Sequence, residues 1–406
     1  MSLPAPSALA HHWDLDPGVV FLNHGSFGAC PRVVLQHQQE LRARMERGPV
    51  QFVHRDLEGL LDVARGELAA FVGCNADDLA FVPNATAGVN TVLRSLAFAP
   101  GDELLVTDHE YAACRNALDF VAGRAGARVV VAPLPFPAAG PRAIVDAVLA
   151  GVTPRTKLLL VDHVTSPTGL VLPVRELVHA LRERGVDTLV DGAHAPGMVP
   201  LALDELGAAY YTGNCHKWLC TPKGSALLHV RRDRQAGIRP LAISHGATSP
   251  RRDRSRFRLE FDFTGTDDFT PFLCVPAALQ FLGGLLPGGI PALQQHNHEL
   301  ALRARERLCA AASTTPPAPA SMLGSLASVP LPATRAAPVP PLGLDPLQVA
   351  LRRDHHIEVP VMRWPAPALR LLRVSPQAYN SDAQYAWLAQ CLRAELDRER
   401  SSQTAV

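Results

Sequence analysis

The feature that most constrains the fold is a series of short apolar runs separated by longer amphipathic segments. Residues 103–107, 127–131, 157–162 and 188–191 are rich in Leu and Val, and residues 174–184 have apolar side chains at helical spacing. Strands that are apolar on both faces are typical of a parallel sheet covered by helices on both sides. The sequence therefore predicts an α/β fold.

The length of 406 residues predicts a large domain followed by a smaller one. We expect an N-terminal arm over residues 1–20, a large α/β domain over residues 21–286 and a small α+β domain over residues 287–406, on which the arm would pack. The boundary follows from the turn signal at residues 287–289. The small domain is expected to contain helices at 293–312, 346–354 and from 382 onward, a Pro- and Ala-rich loop at 314–320, and strands at 326–331, 357–362 and 370–374.

The near-zero net charge limits the kinds of partner. The chain has 39 Lys and Arg residues against 38 Asp and Glu residues, so no bulk positive field attracts nucleic acid or an anionic membrane. The first residues lack a basic segment followed by an apolar run, and no apolar stretch is long enough to span a bilayer. We expect a cytoplasmic protein with no nucleic-acid and no membrane partner.

The cysteine and histidine positions argue against disulfides and metal sites. The 8 cysteines are scattered without a CxxC pair, as is typical of reduced thiols in a cytosolic protein. The adjacent pairs His11-His12 and His355-His356 lack the i, i+4 spacing of helical metal ligands. We therefore expect no metal ion.

Two ionisable residues that follow predicted strands carry the chemistry. Asp191 ends an apolar run, where ligands bind in open parallel sheets, and a buried carboxylate there needs a cationic partner. Lys217 lies between His216 and Trp218, and desolvation lowers the pKa of a lysine so that it reacts with aldehydes. Pyridoxal phosphate (PLP) needs one amine for its aldehyde and one carboxylate for its ring nitrogen. Taken singly, Asp191 also fits a loop cap and Lys217 a solvated surface lysine.

A turn that opens a helix offers a place for a phosphate. Residues 83–90 follow a short strand pattern at 79–82, and free backbone N–H groups at a helix N-terminus bind phosphate. An ordinary helix cap at Asn84 or Thr86 explains the same residues equally well. The turn supports PLP only in combination with the other two features.

Several short motifs stand in a characteristic order along nearly the whole chain, from about Val20 to the last helix. They are Phe21-Leu22-Asn23-His24-Gly25-Ser26-Phe27-Gly28, Asn84-Ala85-Thr86, Thr107-Asp108-His109-Glu110-Tyr111, Asp162-His163-Val164-Thr165-Ser166-Pro167-Thr168-Gly169, Asp191-Gly192-Ala193-His194 and His216-Lys217. The set resembles class V aminotransferase-like enzymes, especially the isopenicillin N epimerase-like branch, which also resembles cysteine desulfurases. The resemblance implies the type I fold of PLP-dependent transferases, with a mainly parallel seven-stranded sheet between helices and a smaller α+β C-terminal domain.

The resemblance also assigns catalytic and cofactor-binding roles to single residues. It implies that Lys217 bonds to the cofactor aldehyde, Asp191 faces the ring nitrogen, and His194 contacts the ring hydroxyl. Tyr111 falls where desulfurases stack a histidine on the ring. The other implied cofactor contacts are Ala85, Thr86, Ser166, Asn214, His216, Gly265 and Thr266, the last two reaching the phosphate across a homodimer. Desulfurases have Asn at the Ser166 position, so His194 would carry more of the ring contact here. They usually have Ser at the Asn214 position, which makes the match at Asn214 less specific.

The segment at residues 373–380 resembles the carboxylate-binding segment of the family. It implies that Arg373 holds the substrate carboxylate through two parallel hydrogen bonds, although a structural ion pair is the alternative for this residue alone. Asn23 and His24 are the other implied substrate contacts. Desulfurases carry a mobile nucleophilic cysteine shortly before this arginine, whereas residues 357–367 contain no cysteine. This departure argues against desulfurase activity.

The resemblance implies an enzyme that acts at the α-carbon of an amino acid, with isopenicillin N epimerase-like chemistry as the first expectation. A carbon–sulfur lyase acting by β-elimination and an aminotransferase are the alternatives. A non-catalytic binding protein is less expected, because it has little reason to retain Asp191, Lys217 and Arg373 together. The identity of the amino acid stays open, since fold and cofactor do not fix it.

Overall fold

A large, mainly parallel sheet lies between helices in the computed structural model, which describes residues 3–334, 340 and 343–404. The predicted α/β fold with a smaller C-terminal domain is confirmed. The strands formed by the described residues are β1 (Val20–Phe21), β2 (Leu79–Val82), β3 (Glu103–Thr107), β4 (Arg128–Ala132), β5 (Thr156–Asp162), β6 (Asp187–Asp191), β7 (Tyr210–Asn214), β8 (Ala226–Val230), β9 (Ala327–Leu331), β10 (Ile357–Glu358), β11 (Val361–Arg363) and β12 (Arg370–Val374).

Helices of very different length connect these strands, and a π-helical turn, Phe52–Asp56, precedes the fourth of them. The α-helices of the described residues are α1 (His24–Phe27), α2 (Arg32–Arg47), α3 (Pro49–Gln51), α4 (Leu57–Val72), α5 (Ala85–Ser95), α6 (Ala112–Ala125), α7 (Pro141–Ala150), α8 (Val174–Arg182), α9 (Leu203–Leu206), α10 (Arg256–Phe261), α11 (Thr270–Leu273), α12 (Val275–Leu285), α13 (Gly289–Ala312), α14 (Pro346–His355) and α15 (Asp382–Thr404).

The main sheet has the strand order β2-β8-β7-β6-β5-β3-β4 among the described residues. Strands β4, β3, β5, β6 and β7 are parallel. Strand β8 runs antiparallel to β7, and β2 runs antiparallel to β8, so β2 has the same direction as the parallel strands. The central strands are buried on both faces: Leu158 and Leu160 belong to one hydrophobic core, and Leu159 and Val161 belong to the other. This two-sided burial explains why the sequence shows continuous apolar runs instead of alternation.

The C-terminal unit contains a three-stranded antiparallel sheet in the order β11-β12-β9, within the described residues. The single strand predicted over 357–362 is wrong, because the structure divides it at Pro360. Strand β10 pairs in parallel with β1, and β11 pairs with β12. Proline has no N–H to donate to a ladder, and the carbonyl of Pro360 instead accepts the backbone N–H of Arg373 at 3.1 Å.

The N-terminal segment is attached to the C-terminal unit. Val20 pairs with Ile357, the N–H of Ser7 donates to the carbonyl of Tyr379 at 3.0 Å, and Trp13 is buried in the core. These contacts agree with an arm that packs on the small domain, while the domain boundaries themselves stay a prediction.

In the described part of the chain, no single helix has the length and apolar character needed to cross a membrane. One bent pair, residues 270–285 with Gly289–Ala312, passes the same test when taken together, with a bend of 69°. This finding rests on length and composition only.

A close contact between α5 and β7 predicts that Gly88→Ala destabilises the protein. A Cβ at Gly88 would lie 2.1 Å from Oγ1 of Thr212, so α5 has to move away from the sheet, at roughly 1–3 kcal/mol for overpacking. Urea unfolding of the cofactor-free variant measures the loss. Gly123→Ala on α6 is the matched control, since its Cβ meets nothing within 4 Å and is expected to be neutral or slightly stabilising. Equal unfolding midpoints for the two variants would contradict the argument.

Candidate active site

The carboxyl ends of β5, β6 and β7 open into a cavity of about 590 Å³. Asp162, Asp191 and Asn214 are the last residues of these strands, so parallel pairing brings their side chains to one edge of the sheet. The volume is within the roughly 300–1,000 Å³ typical of small-molecule sites. The described residues lining the cavity are Ser26, Phe27, Pro83, Asn84, Ala85, Thr86, Tyr111, Asp162, Ser166, Asp191, Ala193, His194, Asn214, His216, Lys217, Lys223 and Gly224.

Asp191 is buried, and both of its oxygens are held by hydrogen bonds. Oδ1 accepts the backbone N–H of Ala193 at 2.9 Å, and Oδ2 accepts the thiol of Cys114 at 3.0 Å. Burial raises the pKa of the carboxyl, whereas these two donors and the charge of Lys217 lower it. A carboxylate fixed in this way is suited to face a protonated ring atom.

Lys217 lies in the same cavity as Asp191, which is the arrangement that the sequence predicted. Burial lowers the pKa of its amine to about 8, against the raising effect of Asp191. Its Nζ lies 3.2 Å from Nε2 of His194. The amine is therefore much closer to its uncharged, nucleophilic form at neutral pH than an exposed lysine is.

His194 is a neutral neighbour of this amine. Its Nδ1 accepts the indole N–H of Trp218 at 3.5 Å, which assigns the imidazole proton to Nε2, on the side of Lys217. Burial, and next the charge of Lys217, lower the pKa of His194 well below its usual value. An imidazole N–H facing an uncharged amine is a consistent donor–acceptor pair.

The N-terminus of α5 forms another side of the cavity. Asn84 caps the helix, and its Oδ1 accepts the backbone N–H of Ala87 at 2.8 Å. The N–H of Ala85 donates to Oδ1 of Asn214 at 2.8 Å, so these two residues are bonded to each other. Thr86 is half-buried and lines the cavity beside them. The predicted cofactor contacts Ala85, Thr86 and Asn214 thus lie together, with Asn214 tying β7 to the helix end.

His216 and Lys223 line the same cavity. Nδ1 of His216 donates to the carbonyl of Ser225 at 2.9 Å, and burial lowers the pKa of His216 to about 4. A nearby anion such as a phosphate would raise that pKa again and favour a proton on the second ring nitrogen. Nζ of Lys223 donates to the carbonyl of Gly28 at 3.2 Å, which adds a cation that the sequence analysis did not select.

Arg373, on β12, reaches the cavity through two of its lining residues. Its Nη1 donates to the carbonyl and hydroxyl oxygens of Ser166 at 2.6 and 3.1 Å, and its Nη2 donates to the hydroxyl of Ser26 at 3.1 Å. Burial lowers the pKa of the guanidinium to about 10, partly offset by Tyr111. Its Nε is buried without a hydrogen-bond partner among the described residues. The arrangement leaves a buried cation beside the cavity.

Tyr111 stands at the N-terminus of α6 and forms part of the cavity mouth, where its side chain is 46% exposed. Asn23 and His24 are not among the lining residues. Oδ1 of Asn23 accepts the hydroxyl of Ser26 at 2.6 Å, and the two ring nitrogens of His24 contact the Tyr379 hydroxyl at 2.8 Å and the Lys217 carbonyl at 3.0 Å. Both residues lie one layer behind the cavity, where they hold groups that line it.

Gly265 and Thr266 line a separate pocket of about 700 Å³, together with His54, Ser244 and His245. Within one chain they do not belong to the cavity of Lys217. Their predicted contact with a phosphate across a homodimer stays a prediction.

Several groups in or beside the cavity were missed by the sequence analysis. Asp162 ends β5 in register with Asp191, so the argument that selected one carboxylate applies equally to the other. Cys114 lies one helical turn after Tyr111, and its contact with Asp191 depends on how α6 packs on the sheet. Ser26 and Lys223 belong to loops whose course the sequence does not fix. Only Asp162 carried a signal that could have been used.

Comparisons with known proteins show the family of this chain. The pattern of the family described as Aminotransferase class-V matches residues 19–386. An isopenicillin N epimerase from Amycolatopsis lactamdurans is 39% identical over 393 residues, which cover 93% of this chain and 96% of that protein. The chain belongs to the class-V aminotransferase family. The predicted family and its dependence on PLP are thereby confirmed.

Two further relatives extend the comparison. A probable chloroplastic L-cysteine desulfhydrase from Arabidopsis thaliana is 30% identical over 400 residues, which cover 93% of this chain and 82% of that protein. The solved structure of a C-DES variant, with glycine covalently linked to its PLP cofactor, has a TM-score of 0.78 at 22% identity and covers 94% of this chain and 98% of that one. The latter likeness supports the fold.

The residues present fit PLP. An amine with a lowered pKa and a buried carboxylate line one cavity, and a helix N-terminus with Thr86 forms another wall of it. Oδ2 of Asp162 is buried without a hydrogen-bond partner in the described part of the chain. The chemistry of this donor set, an amine, carboxyls and N–H groups, matches an aldehyde, a basic ring nitrogen and a phosphate.

The pKa of Lys217 predicts how fast PLP attaches to the cofactor-free protein. The uncharged amine attacks the aldehyde, and for a pKa of about 8 the uncharged fraction rises from roughly 1% at pH 6 to about half at pH 8. We expect the initial rate of covalent attachment to rise on the order of 50-fold over this range and to level off above about pH 9. Borohydride reduction followed by peptide mass mapping measures both rate and position.

A parallel pH series with Nα-acetyl-lysine measures how the rate of the same reaction depends on pH when the lysine amine is not buried. A label on Lys223 instead of Lys217, or a rate that follows the free lysine up to pH 10, would contradict the placement of the reactive amine.

Proposed function

We propose that this chain is a PLP-dependent enzyme that removes and returns the proton at the α-carbon of an amino acid, in an isopenicillin N epimerase-like reaction. The observation that carries the proposal is the common cavity of Lys217 and Asp191, with the Arg373 guanidinium at its edge. When bound, PLP would draw electrons from the bonds of an α-carbon attached to it. The rest of the chemistry belongs to side chains of this chain.

Arg373 would bind the substrate carboxylate. It is buried, makes no ion pair with a carboxylate of the described residues, and its two Nη atoms contact Ser166 and Ser26, which line the cavity. A planar guanidinium can hold a carboxylate in a fixed direction. This contact would set which bond of the α-carbon faces Lys217.

Lys217 would move the α-proton. Its pKa of about 8 makes it an effective general base and acid near neutral pH, and Nε2 of His194 at 3.2 Å orients its amine. Asp191 would keep a proton on the ring nitrogen of PLP, because the two hydrogen bonds that its oxygens accept favour its charged form.

A carbon–sulfur lyase is the second candidate, with an aminotransferase behind it. The 30% identity to a probable L-cysteine desulfhydrase supports the lyase. Desulfurase activity is less favoured, because no cysteine is among the described residues that line the cavity, and residues 357–367 offer no thiol to accept sulfur. A lyase does not need such a thiol. A non-catalytic binding protein would not need the buried Arg373.

A homodimer in the cytoplasm is part of the proposal. The free thiols of all the cysteines agree with a reducing compartment. Exposed apolar side chains near the cavity and near Gly265, among them Phe27 at 75% and Ile243 at 67%, favour association with a second copy.

A screen of amino acids in deuterated water separates the candidate reactions. Deuterium at the α-carbon with inversion indicates an epimerase, pyruvate with sulfide from L-cysteine indicates a lyase, and a keto acid without sulfide indicates an aminotransferase. Absence of all three from a protein loaded with PLP would contradict enzymatic function. Mass spectrometry and chiral chromatography give these outcomes directly.

Arg373→Lys is expected to lower kcat/KM for α-proton exchange by roughly 10- to 100-fold, since it loses a two-point hydrogen bond of about 1.5–3 kcal/mol to a charged group. The matched substrate is the corresponding amine without a carboxylate, whose exchange rate should not change. Equal losses for both substrates would show that Arg373 acts on the fold and not on the carboxylate.

A further inference from the structure

The proposed function gives Cys114 no role of its own, although its thiol contacts Asp191. Cys114 lies on α6, one helical turn after Tyr111, and is completely buried. Its Sγ is 3.0 Å from Oδ2 of Asp191, and its side chain does not line the cavity. It therefore touches the carboxylate from behind.

The thiol can act only as the donor in this contact. Burial raises the pKa of Cys114, and the nearby carboxyls of Asp191, Glu110 and Asp162 raise it further. The thiol therefore keeps its proton, and the proton lies between Sγ and the Asp191 oxygen. A buried thiolate there would face like charges on several sides.

Asp191 competes for charge with two neighbouring carboxyls. Glu110 has both side-chain oxygens buried without a hydrogen-bond partner among the described residues, and so has Oδ2 of Asp162. Asp191 alone of the three accepts two hydrogen bonds. Because hydrogen bonds to a carboxylate favour its charged form, the charge of the cluster settles on Asp191.

We propose that Cys114 is a positioning residue, whose thiol hydrogen bond fixes Oδ2 of Asp191 and keeps the negative charge on Asp191 instead of Asp162 or Glu110. This inference rests on the proposed function, in which Asp191 faces the ring nitrogen of PLP. Other groups around this charge are Lys217 across the cavity and Arg115 beside Glu110. These charged groups stay unchanged in every variant of Cys114.

Three variants of Cys114 separate the hydrogen bond from packing. Cys114→Ala removes the donor and leaves space, Cys114→Val removes the donor and fills the space, and Cys114→Ser keeps a donor. Cys391→Ala, a buried cysteine on α15, is the matched control for loss of a thiol far from the cavity. The dissociation constant of PLP for each cofactor-free protein is measured by absorbance between pH 5 and pH 9.

We expect Cys114→Ala and Cys114→Val to bind PLP about tenfold more weakly, because each loses one hydrogen bond to a charged group. The affinities of Cys114→Ser and Cys391→Ala are expected to remain within about threefold of that of the unchanged protein. The pH profile distinguishes this role from a structural one. Losing the donor raises the pKa of Asp191, so the carboxylate becomes protonated at higher pH as the solution is acidified. The fall in affinity at low pH should therefore begin at higher pH in the donor-free variants.

Equal affinity and an equal acid limb in the donor-free variants and the unchanged protein would overturn the proposal. A serine variant that behaves like the alanine variant would also overturn it, because packing would then explain both. If Cys114→Ala does not fold, Cys114→Val decides. Failure of the unchanged protein to bind PLP at all would instead refute the proposed function, so the two failures are distinguishable.

Discussion

Two buried carboxyls at the same sheet edge are the constraint on which the rest of the site depends. Asp162 and Asp191 end adjacent parallel strands in register with each other, and burial raises the pKa of both. Two carboxyls in a poorly solvated place disfavour each other's charged form, so one of them keeps its proton more readily than the other. The negative charge at this edge opposes the burial that lowers the pKa of the Lys217 amine. The acidic edge and the reactive amine are therefore one electrostatic unit.

The loops around this unit serve mainly to keep Lys217 in place. His24 contacts the Lys217 carbonyl at 3.0 Å. Gly28 has a φ of 70° and lies so close to the lysine loop that a Cβ there would be 2.1 Å from the carbonyl oxygen of His216. Only glycine permits both the left-handed backbone and this approach. His24, which the resemblance assigned to the substrate, and Gly28 thus hold the lysine loop from behind.

The sequence predicted the sheet better than the site. Apolar runs such as residues 157–162 fit strands of a parallel sheet, because both faces of such strands are buried. An acidic residue at the end of such a run indicates the edge of the sheet where ligands bind. The contacts of Cys114, Ser26 and Lys223 depend on how distant elements pack, which no local pattern contains. At residues 357–362 a local pattern was itself misleading, since the run predicted as one strand forms two strands with different partners.

The sheet edge alone does not decide which reaction follows. In the proposed function, Lys217, Asp191 and Arg373 would handle one proton, one ring atom and one carboxylate in every reaction considered. The choice between returning the proton on the opposite face and expelling a β-substituent would then depend on other groups that line the cavity. Tyr111 and Phe27 line it, and both are exposed in a single chain. In the proposed homodimer, a partner subunit that covers these two side chains would add groups to the cavity that the sheet edge does not provide.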